Sequence, residues 1–133
     1  MAPPFIAYYG ILQGGSQETA LLQQAYDQCR LYRSYLRDDS GLWKHIVLGD
    51  TASQDFRHWG TGVPMNVIAS DAFRSNAPIG NAWAAAGMMR VLQTIRHSSQ
   101  AHRFVSQQVD LTSWISEIIS ATWPHQVQFI TWT

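Results

Sequence analysis

Cysteine is almost missing from this chain. Cys29 stands alone among 133 residues, which leaves no internal disulfide and no thiolate zinc site to hold a fold together. Charge is scarce too: Asp, Glu, Lys and Arg make up 14% of the residues, the formal net charge is zero, and no run of Lys and Arg occurs. The electrostatic footprint of a nucleic-acid binder is missing, and nucleic acid is not expected as a partner. No apolar run reaches the length needed to cross a bilayer, so no membrane span is expected. Met1-Ala2-Pro3-Pro4 has neither the basic nor the apolar region of a signal peptide, and the chain as written is expected to stay where it is made. The five histidines, at 45, 58, 97, 102 and 125, include no pair at helical ligand spacing, His97 and His102 being one residue off. Neither a metal nor a cofactor is expected.

What is there is apolar and aromatic. Six Trp, five Tyr and five Phe fit a carbohydrate cleft and an ordinary helical core alike. The length allows one domain at most, with a core that hides roughly two thirds of the unfolded surface. Phe5, Ile6, Tyr8, Tyr9 and Leu12 predict a short helix with proline in its first turn and Gly14-Gly15 at its end. A second helix is expected from Ser16, whose hydroxyl can cap it and whose neighbour Glu18 complements the dipole. Its stripe Leu22, Ala25, Tyr26, Cys29, Tyr32, Tyr35 and Leu36 runs to about Arg37, with Cys29 as a small core residue. Leu42 to Leu48 reads as a strand or an extended excursion. Residues 50 to 79 show no period. Helices are then expected from about Gly80 to His97 and from about Val105 to Ala121, the latter stopped by Pro124. The pattern is all-α, four helices in two antiparallel pairs, with an apolar tail at 127–133 that has no partner in the sequence.

The most informative stretch is Gly80-Asn81-Ala82-Trp83-Ala84-Ala85-Ala86-Gly87. Its small residues let a neighbouring helix approach closely, while Met88, Leu92 and Ile95 recur at helical spacing. Asn81 and Trp83 are left at the mouth, where an amide and an aromatic plane suit a sugar ring, apolar on its face and hydroxylated on its rim. Spacing alone equally allows Asn81 as an N-cap and Trp83 as core.

Taken in order, Ala2-Pro3-Pro4-Phe5-Ile6-Ala7-Tyr8-Tyr9-Gly10, Tyr32-Arg33-Ser34-Tyr35-Leu36, Gly41-Leu42-Trp43-Lys44-His45, His58-Trp59 and the Gly80 to Gly87 block closely resemble fungal members of glycoside hydrolase family 105, the unsaturated rhamnogalacturonyl hydrolases. The likeness covers roughly residues 2 to 125. It implies an (α/α)6 toroid, six helical hairpins around a cleft, of which residues 1–133 would supply about two hairpins plus fragments. It implies an oligosaccharide partner: a pectin-derived disaccharide with an unsaturated galacturonyl ring carrying a C4=C5 double bond. In that family an aspartate protonates the double bond and activates water, and the hemiketal opens to release rhamnose. One carboxyl group does both proton transfers, unlike the two-carboxylate displacement of ordinary glycosidases. By the same resemblance His45, Trp59, Asn81 and Trp83 would be substrate-binding residues.

Three departures qualify that expectation. The family's catalytic aspartate falls a few residues before the segment that here starts at Met1, and none of Asp27, Asp38, Asp39, Asp50, Asp55, Asp71 and Asp110 sits in a matching motif, so no catalytic residue is assigned. His58-Trp59-Gly60-Thr61-Gly62 is parted from Asn81 by residues 63–80, which read as an insertion or a retained intron. Past Trp123-Pro124-His125 the hairpins that would close a toroid are missing, so bare apolar helix faces and self-association are expected. The expectation is a pectin-degrading hydrolase fragment, inactive alone, of a family whose members are extracellular or cytoplasmic. The alternatives are a non-catalytic helical interaction module or a sugar-binding remnant.

Overall fold

The computed structural model describes residues 2–44 and 79–126. His45, Trp59, nearly all of the expected insertion at 63–80 and the tail at 127–133 lie outside the described residues. Over the described residues the protein is all-α, with α1 (Pro3–Gln13), α2 (Gly15–Leu36), α3 (Ile79–Arg96) and α4 (Val105–Gln126), and a 3-10 turn at Ala101–Arg103 leading into α4. Among them β pairing is limited to an isolated antiparallel bridge between Arg37 and Trp43. That bridge and the chain as far as Lys44 are what is described of the expected strand at Leu42 to Leu48.

Gly14 alone links α1 to α2. It has φ +67° and Gly15 has φ +56°, a left-handed backbone that glycine adopts without steric penalty. The Gly14 amide closes α1 on the Gly10 carbonyl and the Gly14 carbonyl accepts from the Glu18 amide. The reversal therefore completes both helix ends with backbone groups. Ser16 was expected to cap α2, but the helix starts one residue earlier, its cap position is Gly14, and no side-chain cap bond forms there. The two helices meet so closely at Gly10 that a Cβ there would stand 2.9 Å from the Leu21 Cβ.

The second pair, α3 with α4, is antiparallel as well. What joins the two hairpins is a set of side-chain links of constant register: Gln23 with Gln107, Tyr26 with Asp110 and Arg33 with Glu117 are each 84 residues apart. A constant offset means that α2 and α4 run parallel, and hence α1 and α3 do too. The hairpins stack side by side in one orientation. Ala7, Leu22, Ala25 and Cys29 of the first hairpin share one core with Met88, Val91, Ile95, Leu111 and Ile118 of the second. Each large aliphatic side chain fully buried there contributes about 1.5–3 kcal/mol. Cys29 is a core residue, 3% exposed, and burial pushes its thiol up to about 12.

Glu18 stands in the first turn of α2 as expected, but it is also buried, and its carboxylate accepts from the Ser99 amide (3.1 Å) and hydroxyl (2.8 Å). The carboxylate thereby ties the start of α2 to the turn between α3 and α4. Pro124 does not stop α4, which continues to Gln126: proline removes one backbone donor, but its ring holds φ near the helical value.

The Gly10 contact gives a direct expectation. Gly10→Ala should lower the unfolding free energy by about 1–2 kcal/mol, overpacking against Leu21 exceeding the gain in helix propensity. A denaturant midpoint equal to or above that of the wild type refutes the close approach.

Candidate functional site

Residues that carry the sequence motifs meet at the end of the stack where α2 finishes and α3 begins. Past Leu36 the chain turns back on itself. Asp38 accepts from the Ser40 amide and hydroxyl through Oδ1, the Gly41 amide donates to the Asp38 carbonyl, and the Lys44 amide returns to the Leu36 carbonyl at 2.8 Å. Gly41, at φ +82°, lies against α4: a Cβ there would stand 3.3 Å from Glu117 Cγ and 3.4 Å from Ala121 Cβ. Both the backbone sign and the close approach favour glycine at this position.

Asn81 lies in the first turn of α3 and is fully buried. Its Oδ1 accepts from the Trp43 amide at 2.9 Å and its Nδ2 donates to the Trp43 carbonyl at 3.4 Å. The side-chain amide thus satisfies both backbone groups of one residue, as a neighbouring strand would. Trp43 packs into the core at 3% exposure, and its ring Nε1 is a buried donor with no hydrogen-bond partner among the described residues. Trp83, two residues beyond Asn81, is 57% exposed. Positions two apart on a helix point to nearly opposite sides, so the pair expected together at a mouth divides: Asn81 works inward on the backbone and Trp83 faces solvent.

Arginine and carboxylate pairs close the same end. Glu117 accepts from Arg33 (2.8 Å) and from Arg37 (2.7 Å), and the Arg33 guanidinium lies 5.4 Å from the centre of the Trp114 ring, within cation–π range. Trp114 in turn stacks on Tyr26. Partial burial alone would raise the Glu117 carboxyl, but the hydrogen bonds from Arg37 and Arg33 outweigh it and hold it below its ordinary value. Tyr26 moves the other way, from 10.0 to about 12, through burial first and then its bond to the Asp110 carboxylate at 2.6 Å. These are fixed, paired groups rather than free acids or bases.

Beyond α4, on the side away from α2, an open groove of about 470 Å³ runs between α3 and α4. Ala82, Ala85, Ala86 and Met89 form one wall, and Ile115, Ile118, Ile119, Thr122 and Trp123 the other. No charged residue lines it. Sequence reasoning did not single out this groove, nor Trp43, Glu117 or Trp123; the available signal was the small-residue run from Ala84 to Gly87, of which Ala85 and Ala86 line the groove. Among the described residues no group of three or more His, Cys, Asp and Glu could hold a metal ion, and no helix is long and apolar enough to cross a membrane. Compared with family models, with curated proteins and with solved structures, the chain finds no match.

Asn81→Ala should unfold at a lower denaturant midpoint, by about 2–4 kcal/mol, because a buried amide and a buried carbonyl of Trp43 would each lose a partner at ~1–3 kcal/mol. A cost below about 0.5 kcal/mol, the scale of ordinary surface changes, contradicts the bracket. For Glu117 the carboxyl is lowered in the folded state, so its contribution is present above the ordinary value of 4.5 and drains away as pH falls through the lower folded value. Stability measured from neutral to acid pH should therefore fall more steeply in the wild type than in Glu117→Gln; parallel curves refute the role.

Proposed function

We propose that the chain is a segment of the helical scaffold of an unsaturated rhamnogalacturonyl hydrolase, and that alone it does not hydrolyse the unsaturated galacturonyl-rhamnose on which that family acts. The observation that carries the reading is the bracket between Asn81 and Trp43. It joins two of the sequence blocks on which the resemblance rests, 38 residues apart, through one fully buried side chain. The parallel stacking of two helical hairpins supports the toroid reading in the same way.

In this reading Trp83 offers its exposed aromatic face to the sugar. His45 and Trp59 are the further substrate contacts that the motifs assign, and Asn81 acts from behind by fixing the start of α3. Proton chemistry among the described residues supports the inactivity. Hydration of a vinyl ether needs a carboxyl group free to give a proton to carbon and then take one from water. Glu18, Asp110 and Glu117, the carboxylates drawn into the structure, are committed to Ser99, Tyr26 and the two arginines. A second reading, a non-catalytic helical interaction module, is favoured by the uncharged groove between α3 and α4.

The test is incubation of the purified chain with the unsaturated disaccharide, following the double-bond absorbance, rhamnose release and tryptophan emission. The expected result is no turnover, with a weak change of emission that disappears in Trp83→Ala. Turnover by the chain alone overturns the inactivity, and an emission unaffected by the sugar overturns the substrate site in favour of the interaction module.

A further inference from the structure

The first helix is apolar on every side. Pro3, Ala7 and Gly10 form its buried inner face. Phe5, Tyr8, Tyr9 and Leu12 recur at helical spacing on the opposite side, where Phe5 is 70% and Leu12 63% exposed. No charged residue occurs from Pro3 to Gln13. A helix that is apolar all round belongs in an interior, yet among the described residues only the inner side of α1 is covered, by α2 and α3. How the two hairpins meet shows what the outer stripe fits. The second hairpin enters the first through its own first helix: α3 packs closely on α1 and reaches α2, whereas α2 and α4 are linked by long side chains. The buried side of α3 carries Ala84, Met88, Val91 and Ile95, an apolar stripe at helical spacing like that of α1. Each of the two is the first helix of an antiparallel pair, and the pairs stack in one orientation. Applied once more, the relation sets another α1 against the groove between α3 and α4. That groove suits it: Ala82, Ala85 and Ala86 leave room opposite large side chains, Ile119 and Trp123 stand exposed along the other wall, and no charge lines it.

We propose that the protein associates with itself head to tail, the α3–α4 groove of one copy receiving the α1 stripe of Phe5, Tyr8, Tyr9 and Leu12 from the next. The inference rests on the hairpin stacking and not on the carbohydrate reading. Shape favours this pairing over a symmetric one. A groove between two helices accepts a ridge of side chains, and two α1 stripes facing one another would leave both grooves open. Phe5 and Tyr9 stack with ring centres 6.1 Å apart, which holds the ridge in one shape before it docks and lowers the ordering cost of association. An interface made of two different patches does not stop at a dimer: it continues until the rotation closes a ring or runs on as a filament.

The experiment uses the full chain, with mass measured by light scattering and sedimentation over a range of concentrations. Met89→Arg spoils the groove and Tyr8→Arg spoils the ridge; both side chains are exposed, and helix content with a cooperative melt verifies the fold. Ile119→Ser and Leu12→Ser serve as a second pair should either arginine variant fail to fold. The expected result is that the wild type grows beyond a dimer with concentration, that each variant alone falls to the mass of one chain, and that an equimolar mixture of the two forms a dimer and goes no further. A wild type that remains monomeric, as it would with its own tail seated in the groove, overturns the proposal, and so does one that stops at a dimer. A groove variant that associates like the wild type, as in pairing of α1 with α1, overturns it too, as does a ridge variant that does so, or a mixture that stays monomeric.

Discussion

The bracket that the Asn81 amide makes on Trp43 is the link on which the arrangement of the two hairpins turns. A tight turn after α2 could leave the stack in any direction, and backbone groups of Trp43 buried without partners would cost free energy rather than hold a position. Asn81 answers both groups at once, with the donor and the acceptor of a single planar amide. Placing that amide fixes the rotation of α3 about its axis. Ala84, Met88, Val91 and Ile95 are then directed into the core, and Ala82, Ala85 and Met89 toward the groove. Trp83 is exposed as a geometric consequence of Asn81 being buried.

At the opposite end, Glu18 and Ser99 do for the helix starts what Asn81 and Trp43 do where α2 ends and α3 begins. Between these two fixed ends the parallel helices α2 and α4 are joined by polar and aromatic side chains more than by close backbone contact. Arg33 illustrates the economy of the seam: one guanidinium donates to Glu117 and lies over Trp114, which stacks on Tyr26, which donates to Asp110. Such partly exposed pairs contribute little energy singly. Their effect is on register, because sliding α4 by one turn would break every link at constant offset together.

The helices were legible in the sequence where one chemical period ran unbroken, as in the stripe from Leu22 through Cys29 to Leu36 and in Met88, Leu92 and Ile95. The all-α class and the Cys29 core position follow from that period. Partnerships were not legible. Nothing in a single sequence relates Tyr26 to Asp110 or Glu18 to Ser99, and local rules offered each a nearer role: Glu18 a place in the helix dipole, Ser16 a cap, Asn81 an N-cap or a sugar contact. Tertiary burial replaced those roles for Ser16 and Asn81 and added a second partner for Glu18. A carboxylate that can accept from both an amide and a hydroxyl across the core is worth more there than in a solvated first turn. Proline at 124 was read as a stop, yet α4 continues two residues beyond it to Gln126.

Hairpins that stack by parallel repetition have no natural end, because each presents on one flank the kind of surface that it buries on the other. A solenoid finishes by giving its terminal units a charged outer face. Here the outer flank of α2 carries glutamines and tyrosines, and the outer flank of α4 carries Ile119 and Trp123 beside the alanines of α3. Further along the same face, where α3 ends and α4 begins, Arg96 stands beside Val105, Gln108 and Thr112. At the seam between the hairpins Glu117 holds two arginines and Asp110 accepts from Tyr26. That distribution places polar specificity at the seam, where register is set, and leaves an apolar groove on the face between α3 and α4.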